Sequence, residues 1–256
     1  MSGDPFPRAL TEGKWETIRS GHELVFMGGD RMLEWKPSTG EFRLWEYDQT
    51  PNQGQDPLPG RTVCEGKWSS IGRGHELVYL FKDRLLDWEP STGNYRVWRF
   101  DRDGRGGDPI PELTCEGNWD SIRTGHRFTY LDGDLLLDWN APTGDYRVWR
   151  IDRNDRKDPF PGKAVVEGNW SSIRTGHELI YLSKNRMLDW TPSNGEYRVW
   201  EVDRDGSGGD LLPGRAVMEG DWSSIRGDRK LIRVNETQVL EWEPSSGQYR
   251  VWSVDV

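Results

Sequence analysis

The sequence predicts an all-β fold: a five-bladed β-propeller with four antiparallel strands per blade and pseudo-fivefold symmetry. Three observations predict it. First, the 256 residues contain 15 Trp, which fall into three series of five. Trp15, Trp68, Trp119, Trp170 and Trp222 form the first. Trp35, Trp88, Trp139, Trp190 and Trp242 form the second, each 20 residues later. Trp45, Trp98, Trp149, Trp200 and Trp252 form the third, a further 10 residues on. The chain is therefore five copies of a unit of about 51 residues. Second, each copy holds four short segments rich in Val, Ile, Leu, Tyr and Trp, bounded by Gly, Pro, Ser or Asn. No segment sustains a 3.6-residue period, so helix should be nearly absent. Third, several segments are apolar on both faces, as in Leu179–Leu182. Each then needs a layer on either side, which small sheets wedged between two neighbours supply. Five copies do not fit a three-fold trefoil.

Each copy opens on a Pro-rich turn: Asp4-Pro-Phe-Pro, Asp56-Pro-Leu-Pro, Asp108-Pro-Ile-Pro, Asp158-Pro-Phe-Pro and Asp210-Leu-Leu-Pro. The repeats are then 4–55, 56–107, 108–157, 158–209 and 210–256, within one domain spanning 1–256. Gly-rich polar linkers before these turns read as exposed loops. In the fourth copy the strands are expected at Ala164–Glu167, Glu178–Leu182, Arg186–Trp190 and Tyr197–Val202. Centring the last hairpin on Ser193-Asn194 sets Asp189 opposite Arg198 and Trp190 opposite Tyr197. The same rule pairs Glu34 with Arg43, Asp87 with Arg96, Asp138 with Arg147 and Glu241 with Arg250. Cross-strand pairs of this kind each stabilise a sheet by about 0.2–1 kcal/mol, so these ten residues read as structural ion pairs. A Glu-Gly-x-Trp segment also recurs, at Glu12, Glu65, Glu116, Glu167 and Glu219, its Gly providing a positive-φ bend or a close approach. The Ile three residues after its Trp reads as core. The ring can close in two ways. Either the last blade is complete by itself, or Pro7–Glu12 pairs with the final copy.

Composition narrows the function. Mean hydropathy is −0.85, but 12% of residues are aromatic, which disordered chains lack. No apolar run approaches the ~20 residues of a membrane span. Net charge is −9 with no basic stripe, which argues against nucleic acid and anionic membrane as partners. The N-terminus lacks the basic and apolar regions of a signal peptide. The expected location is the cytoplasm, or outside the cell by a route without a classical signal peptide. Cys64 and Cys115 share a repeat position with Thr11, Val166 and Met218, so they read as buried free thiols. No cofactor and no metal is assigned, and a monomer is expected.

The stretch Gly162-Lys-Ala-Val-Val-Glu-Gly-Asn-Trp-Ser-Ser-Ile173 precedes the strand Leu179-Ile-Tyr-Leu182, and Gly214-Arg-Ala-Val-Met-Glu-Gly-Asp-Trp-Ser-Ser-Ile225 repeats its opening. This pattern resembles the tachylectin type of five-bladed propeller lectin, across all five copies. The resemblance implies metal-free binding of N-acetylated amino sugars, one site per blade. The chain departs from that pattern in two places. It carries Glu-Gly-x-Trp where the family has a double Gly before the Trp, and it adds an Arg-Thr-Gly-His segment after the Ile.

Three residue series are candidates for ligand contact. His22, His75, His126 and His177 stand seven residues after the first-series Trp, and Arg229 holds that place in the fifth copy. Each His reads as a structural tie resembling the hydrogen-bonded tetrad of WD-repeat blades, as a pocket residue, or as part of an axial metal cluster. The first-series Trp sit at a Gly turn beside variable polar residues, which makes them candidate surface aromatics for sugar C–H faces. Arg19, Arg123, Arg174 and Arg226 follow the Ile in four copies and could donate to sugar hydroxyls. Asp-rich linkers such as 203–210 suggest calcium, but Arg105 interrupts the equivalent ligand order in the second copy. No nucleophile elbow, phosphate loop or metalloprotease motif is present. Fivefold repetition suits multivalent carbohydrate binding, with the fifth site degenerate, and avidity gains of ~10²–10⁴. The alternatives are a protein-interaction scaffold and a metal-dependent enzyme with an axial His cluster.

Overall fold

The computed structural model describes residues 3–60, 62–152, 158–160, 162–183 and 185–256. The end of the third repeat at 153–157 and Pro161 of the fourth Pro-rich turn lie outside the described residues. Strand β1 (Arg8–Lys14) comes first. Blade 1 holds β2 (Glu23–Phe26), β3 (Arg31–Lys36), β4 (Glu41–Glu46) and β5 (Thr62–Lys67). Blade 2 holds β6 (Glu76–Tyr79), β7 (Arg84–Glu89), β8 (Asn94–Arg99) and β9 (Glu112–Asn118). Blade 3 holds β10 (His126–Tyr130), β11 (Leu135–Asn140), β12 (Asp145–Arg150) and β13 (Val166–Asn169). Blade 4 holds β14 (Glu178–Tyr181), β15 (Arg186–Trp190), β16 (Glu196–Glu201) and β17 (Met218–Asp221). Blade 5 holds β18 (Lys230–Asn235), β19 (Gln238–Glu243) and β20 (Gln248–Ser253), and β1 completes it. All pairings are antiparallel. The only helical turn among the described residues is the three-residue 3₁₀ segment Arg105–Gly107. Among the described residues no helix is long and apolar enough to cross a membrane.

Repeat and blade are therefore out of phase by one strand. The first strand of every repeat is the outer strand of the preceding blade. Ring closure follows the second of the two routes: β1 pairs with β20, from Arg8 opposite Ser253 to Lys14 opposite Gln248. Three further contacts close the same seam. Asp4 accepts from Trp222 Nε1 at 3.0 Å, and Phe6 stacks on Trp222 and Trp252 at 5.0 and 6.4 Å.

The strands β2, β6, β10, β14 and β18 contact one another around the axis. The core is then five wedges between blades, not one central mass. Trp35, Trp88, Trp139, Trp190 and Trp242 are each at most 2% exposed and anchor these wedges. Trp242, for example, packs with Leu24 and Met32 of blade 1. Removing such a side chain would cost about 3–5 kcal/mol. Cys64 and Cys115 form no disulfide and are half-buried at wedge edges rather than buried as expected, because each packs against its cluster from the side. Burial, with Asp108 and Asp101 adding, pushes the Cys64 thiol up to about 11.

Two glycine positions explain the repeat motif. Gly117 of Glu-Gly-x-Trp does not adopt positive φ; it sits where a Cβ would meet Tyr95 Oη at 2.5 Å. Close approach is therefore its role, and the bend is not. Gly195 ends the β15–β16 turn at φ 84, and its carbonyl accepts from Trp222 N at 3.0 Å.

Candidate functional site

A buried acid stands at the centre of every blade, on its second strand. Glu34, Asp87, Asp138, Asp189 and Glu241 are at most 2% exposed. Such a charge is tolerated only when it is paired and hydrogen-bonded. In blade 1, His22 Nδ1–H donates to Glu34 at 2.6 Å, Arg43 at 2.9 Å and Trp45 Nε1–H at 2.8 Å. His75, His126 and His177 lie at the same 2.6 Å from Asp87, Asp138 and Asp189. Register places each Arg opposite its acid, giving Arg96–Asp87, Arg147–Asp138, Arg198–Asp189 and Arg250–Glu241 ion pairs. The third-series Trp joins the same cluster: the Arg guanidinium lies over its ring, 5.4 Å away for Arg96 and Trp98. The carboxylate orients each ring so that Nδ1–H faces the acid. In blade 3, Asn140 donates to His126 Nε2 at 3.2 Å.

Because every histidine is bound to its own blade's acid, the four imidazoles do not meet on the axis. Among the described residues, no three His, Cys, Asp or Glu side chains gather as a metal ion would need. The axial histidine cluster that the metal-enzyme alternative requires is therefore not formed.

This cluster floors a pocket on blades 1, 2 and 4. In blade 2 it is about 580 Å³ and includes Ser70, His75, Asp87, Arg96, Glu116 and Asn118. Its counterparts measure about 500 Å³ on blade 1 and about 640 Å³ on blade 4. Across the floor of the blade 2 pocket, Asp87, Arg96 and Glu116 lie opposite one another on β7, β8 and β9. Arg96 donates to Asp87 at 2.8 Å and to Ser70 O at 2.7 Å. Burial, with Asp158 and Cys115 adding, pushes the Tyr95 phenol up to about 12, so it remains a neutral donor. The rim acid is different from the floor acid. Glu65, Glu116 and Glu219 are exposed and line the blade 1, 2 and 4 pockets. Glu12 and Glu167 face Arg250 and Arg147 in the same register, in blades 5 and 3.

The structure separates the three residue series. His22, His75 and His177 line the pockets of blades 1, 2 and 4, and His126 holds the same position against Asp138 in blade 3. The first-series tryptophans are not surface platforms: Trp15, Trp68, Trp170 and Trp222 are 5–8% exposed, and Trp119 is half-buried. One face of each is covered by a Tyr or Phe at 4.1–4.3 Å. Their edges are also taken: Trp15 Nε1–H donates to Asp56 at 2.9 Å, and Trp68 to Asp108 at 3.2 Å. The Pro-turn Asp of the next repeat is thus a clasp for the indole. The arginine series serves loops rather than pockets. Arg174 reaches Pro142 O at 3.5 Å, and Arg226 Nε–H donates to Trp222 O at 2.7 Å. Arg123 binds Thr92 O, and Arg19 binds Glu16.

The rim glutamates carried no assigned role in the sequence reading. A signal was nevertheless present. The acid is unchanged in five copies, although the residue two positions on varies as Lys14, Lys67, Asn118, Asn169 and Asp221.

A second polar feature lies where the inner strands begin. Glu23, Glu178 and Lys230 border a cavity of about 760 Å³. Glu76 and Arg127 hold the same strand position, and Arg127 pairs with Glu178 at 3.6 Å.

No family model matches the chain, and no curated protein matches it by sequence. Solved structures do match by shape. Glutaminyl cyclase of Myxococcus xanthus aligns over 97% of both chains at 13% identity and TM-score 0.54. The Cps50 (Swd1) β-propeller domain of Myceliophteria thermophila aligns over 95% of this chain and all of its own, at 14% identity and TM-score 0.45. The WD40 domain of Toxoplasma gondii coronin aligns over 98% of this chain and 76% of its own, at 10% identity and TM-score 0.45. At these identities the likeness concerns the fold. The chain is an all-β five-bladed propeller.

Proposed function

We propose that this propeller is a multivalent carbohydrate-binding protein with one polar pocket per blade. The observation that carries the reading is the repeated floor of His, buried acid and Arg, bordered by an exposed glutamate. Such a pocket alternates donors and acceptors within reach of one another. Sugar hydroxyls are both donor and acceptor, so they can satisfy the glutamate and the arginine together. Repetition at fixed angles suits a surface that presents many copies of a weak ligand. The tachylectin-like reading belongs here, with N-acetylated amino sugars as the first ligands to try. The sugar contact, however, shifts from the tryptophans to the rim glutamates and pocket histidines. The fifth pocket differs, because Arg229 stands where the others have His. A protein-interaction scaffold would use an apolar face, and the large apolar side chains exposed among the described residues are Leu113 in β9 and Val217 just before β17, on different blades.

The test is a glycan array with the intact protein and with a variant carrying Gln at Glu12, Glu65, Glu116, Glu167 and Glu219. Binding by the first and its loss in the second is the expected result. An array without binding to the intact protein, or binding unchanged in the fivefold variant, would overturn the reading.

A further inference from the structure

The axis holds another cavity, further along the inner strands from Glu23 and Lys230, with a volume of about 440 Å³. One residue per blade borders it in its first ring: Val25, Val78, Thr129, Ile180 and Ile232. The Thr129 hydroxyl donates to Leu179 O at 3.2 Å, so this ring offers little free polarity. A cavity of a few hundred Å³ with apolar walls and one or two placed polar groups is the usual form of a small-molecule site.

The fivefold pattern breaks in the next ring. Four blades supply an aromatic there, Phe26, Tyr79, Tyr130 and Tyr181, and blade 5 supplies Arg233. The Arg233 side chain is 18% exposed. Asp132 of blade 3 takes both of its terminal nitrogens, at 2.6 and 2.9 Å. The pair joins two non-adjacent blades and cancels the charge. Arg233 Nε–H is buried out of reach of the cavity, and Asp132 uses one N–H of each terminal nitrogen, so the second N–H on each is the donor left for a ligand. In blade 1, Gly28 borders the cavity at φ 71, and a Cβ on it would meet Tyr79 Oη at 2.8 Å. A larger residue there would push the Tyr79 ring from its place.

We propose that this axial cavity binds a small, largely apolar ligand of aromatic-ring size that carries a carbonyl-type acceptor for Arg233. A carboxylate is the poorer fit, because Asp132 already neutralises the guanidinium. The blade pockets are walled mainly by polar and charged side chains, the axial cavity mainly by apolar ones. The two kinds of site therefore select opposite chemistries, and this inference stands apart from the glycan reading.

Three probes test it on the full chain by ligand-observed NMR: coumarin, which has the carbonyl, naphthalene, which lacks it, and benzoate, which is charged. Coumarin is expected to bind about tenfold more tightly than naphthalene, the worth of one buried hydrogen bond. Benzoate is expected to be weaker than coumarin. Val78→Trp and Ile180→Trp, from two blades, fill the cavity and should each abolish coumarin binding, with Tm measured on each to show that the ring is still folded. Arg233→Lys keeps a charge for Asp132 and should erase the coumarin preference. The proposal fails if coumarin and naphthalene bind alike. It also fails if coumarin binding survives in a filled variant that keeps the native Tm.

Discussion

Blades 1 to 4 and blade 5 solve one problem in two ways. In the first four, a His at the start of the inner strand or just before it, an Arg on the third strand and in places a Trp N–H surround the buried acid. In blade 5 the inner position is Arg229, which binds both Glu241 and, at 3.2 Å, Glu243. Arg250 lies at 3.1 Å from Glu241, and Trp252 Nε1–H donates to it at 2.6 Å. The His position therefore accepts substitution, while a carboxylate (Asp or Glu), the third-strand Arg and the Trp are kept in all five blades. The carboxylate is the organising group, and the imidazole is one of two ways to compensate it.

The sharpest way to break this comparison is to remove the acid. Glu241→Ala leaves Arg250 without its carboxylate and Arg229 held by Glu243 alone, and should cost about 3–5 kcal/mol in urea unfolding. Asp189→Ala, which strands one guanidinium and one imidazole, should cost less. Equal losses would show that the second arginine adds nothing. The seam is tested next. Phe6 and Phe160 occupy the same repeat position, each stacked between a first-series and a third-series Trp. Phe6→Ala and Phe160→Ala should both cost about 3–4 kcal/mol. A much smaller loss for Phe6 would mean that the closing seam is looser than the continuous ones. Exchange of the inner group comes third. Arg229→His should lie within about 1 kcal/mol of the parent, whereas His177→Ala should cost about 1–3 kcal/mol by exposing an unmet carboxylate oxygen.

The smallest effect concerns the channel mouth. Burial raises the Glu76 carboxyl above its ordinary value; Arg127 opposes this, and Glu23 and Glu178 add to it. Burial raises Glu23 likewise, against Lys230. A raised acid holds its proton more tightly in the folded state, so its ionisation destabilises the fold. That penalty is complete above the raised pKa and absent below the ordinary value of 4.5. Glu76→Gln should therefore raise Tm slightly at pH 8 and leave it unchanged at pH 3. A larger gain at pH 3 would reverse the sign and refute the account.

Much of this architecture was legible in the sequence for reasons that can be named. Trp spacing gave the number of units, and hairpin centring gave registers such as Asp189 opposite Arg198, because both are local relations. The strand at 164–167 appears instead as Val166–Asn169, a shift at an outer edge where packing on one side alone sets the limits. Phase was not legible. A periodic sequence is blind to where its period begins, and only the β1–β20 pairing decides it. The first-series tryptophans misled for a related reason. Their sequence neighbours are Gly and polar residues, but what covers Trp15 is Tyr249 and Asp56, far along the chain. The rim glutamates were visible as a repeated exposed acid. Their alignment with Arg and the floor acid needed the register of the outer strand, and so needed the phase.

The borrowed strand has a consequence for biogenesis. Blades 1 to 4 each receive their last strand from the repeat that follows, so each can be completed soon after its own synthesis. Blade 5 instead waits for residues made first. Arg8–Lys14 must stay unpaired, with its hydrogen-bonding edge open, until Gln248–Ser253 leaves the ribosome. Vectorial synthesis thus leaves the earliest segment as the last to find its partner. Over that interval an open edge can also pair with another nascent chain. High expression rates should then favour intermolecular closure, two rings exchanging their first strands, over the monomeric ring.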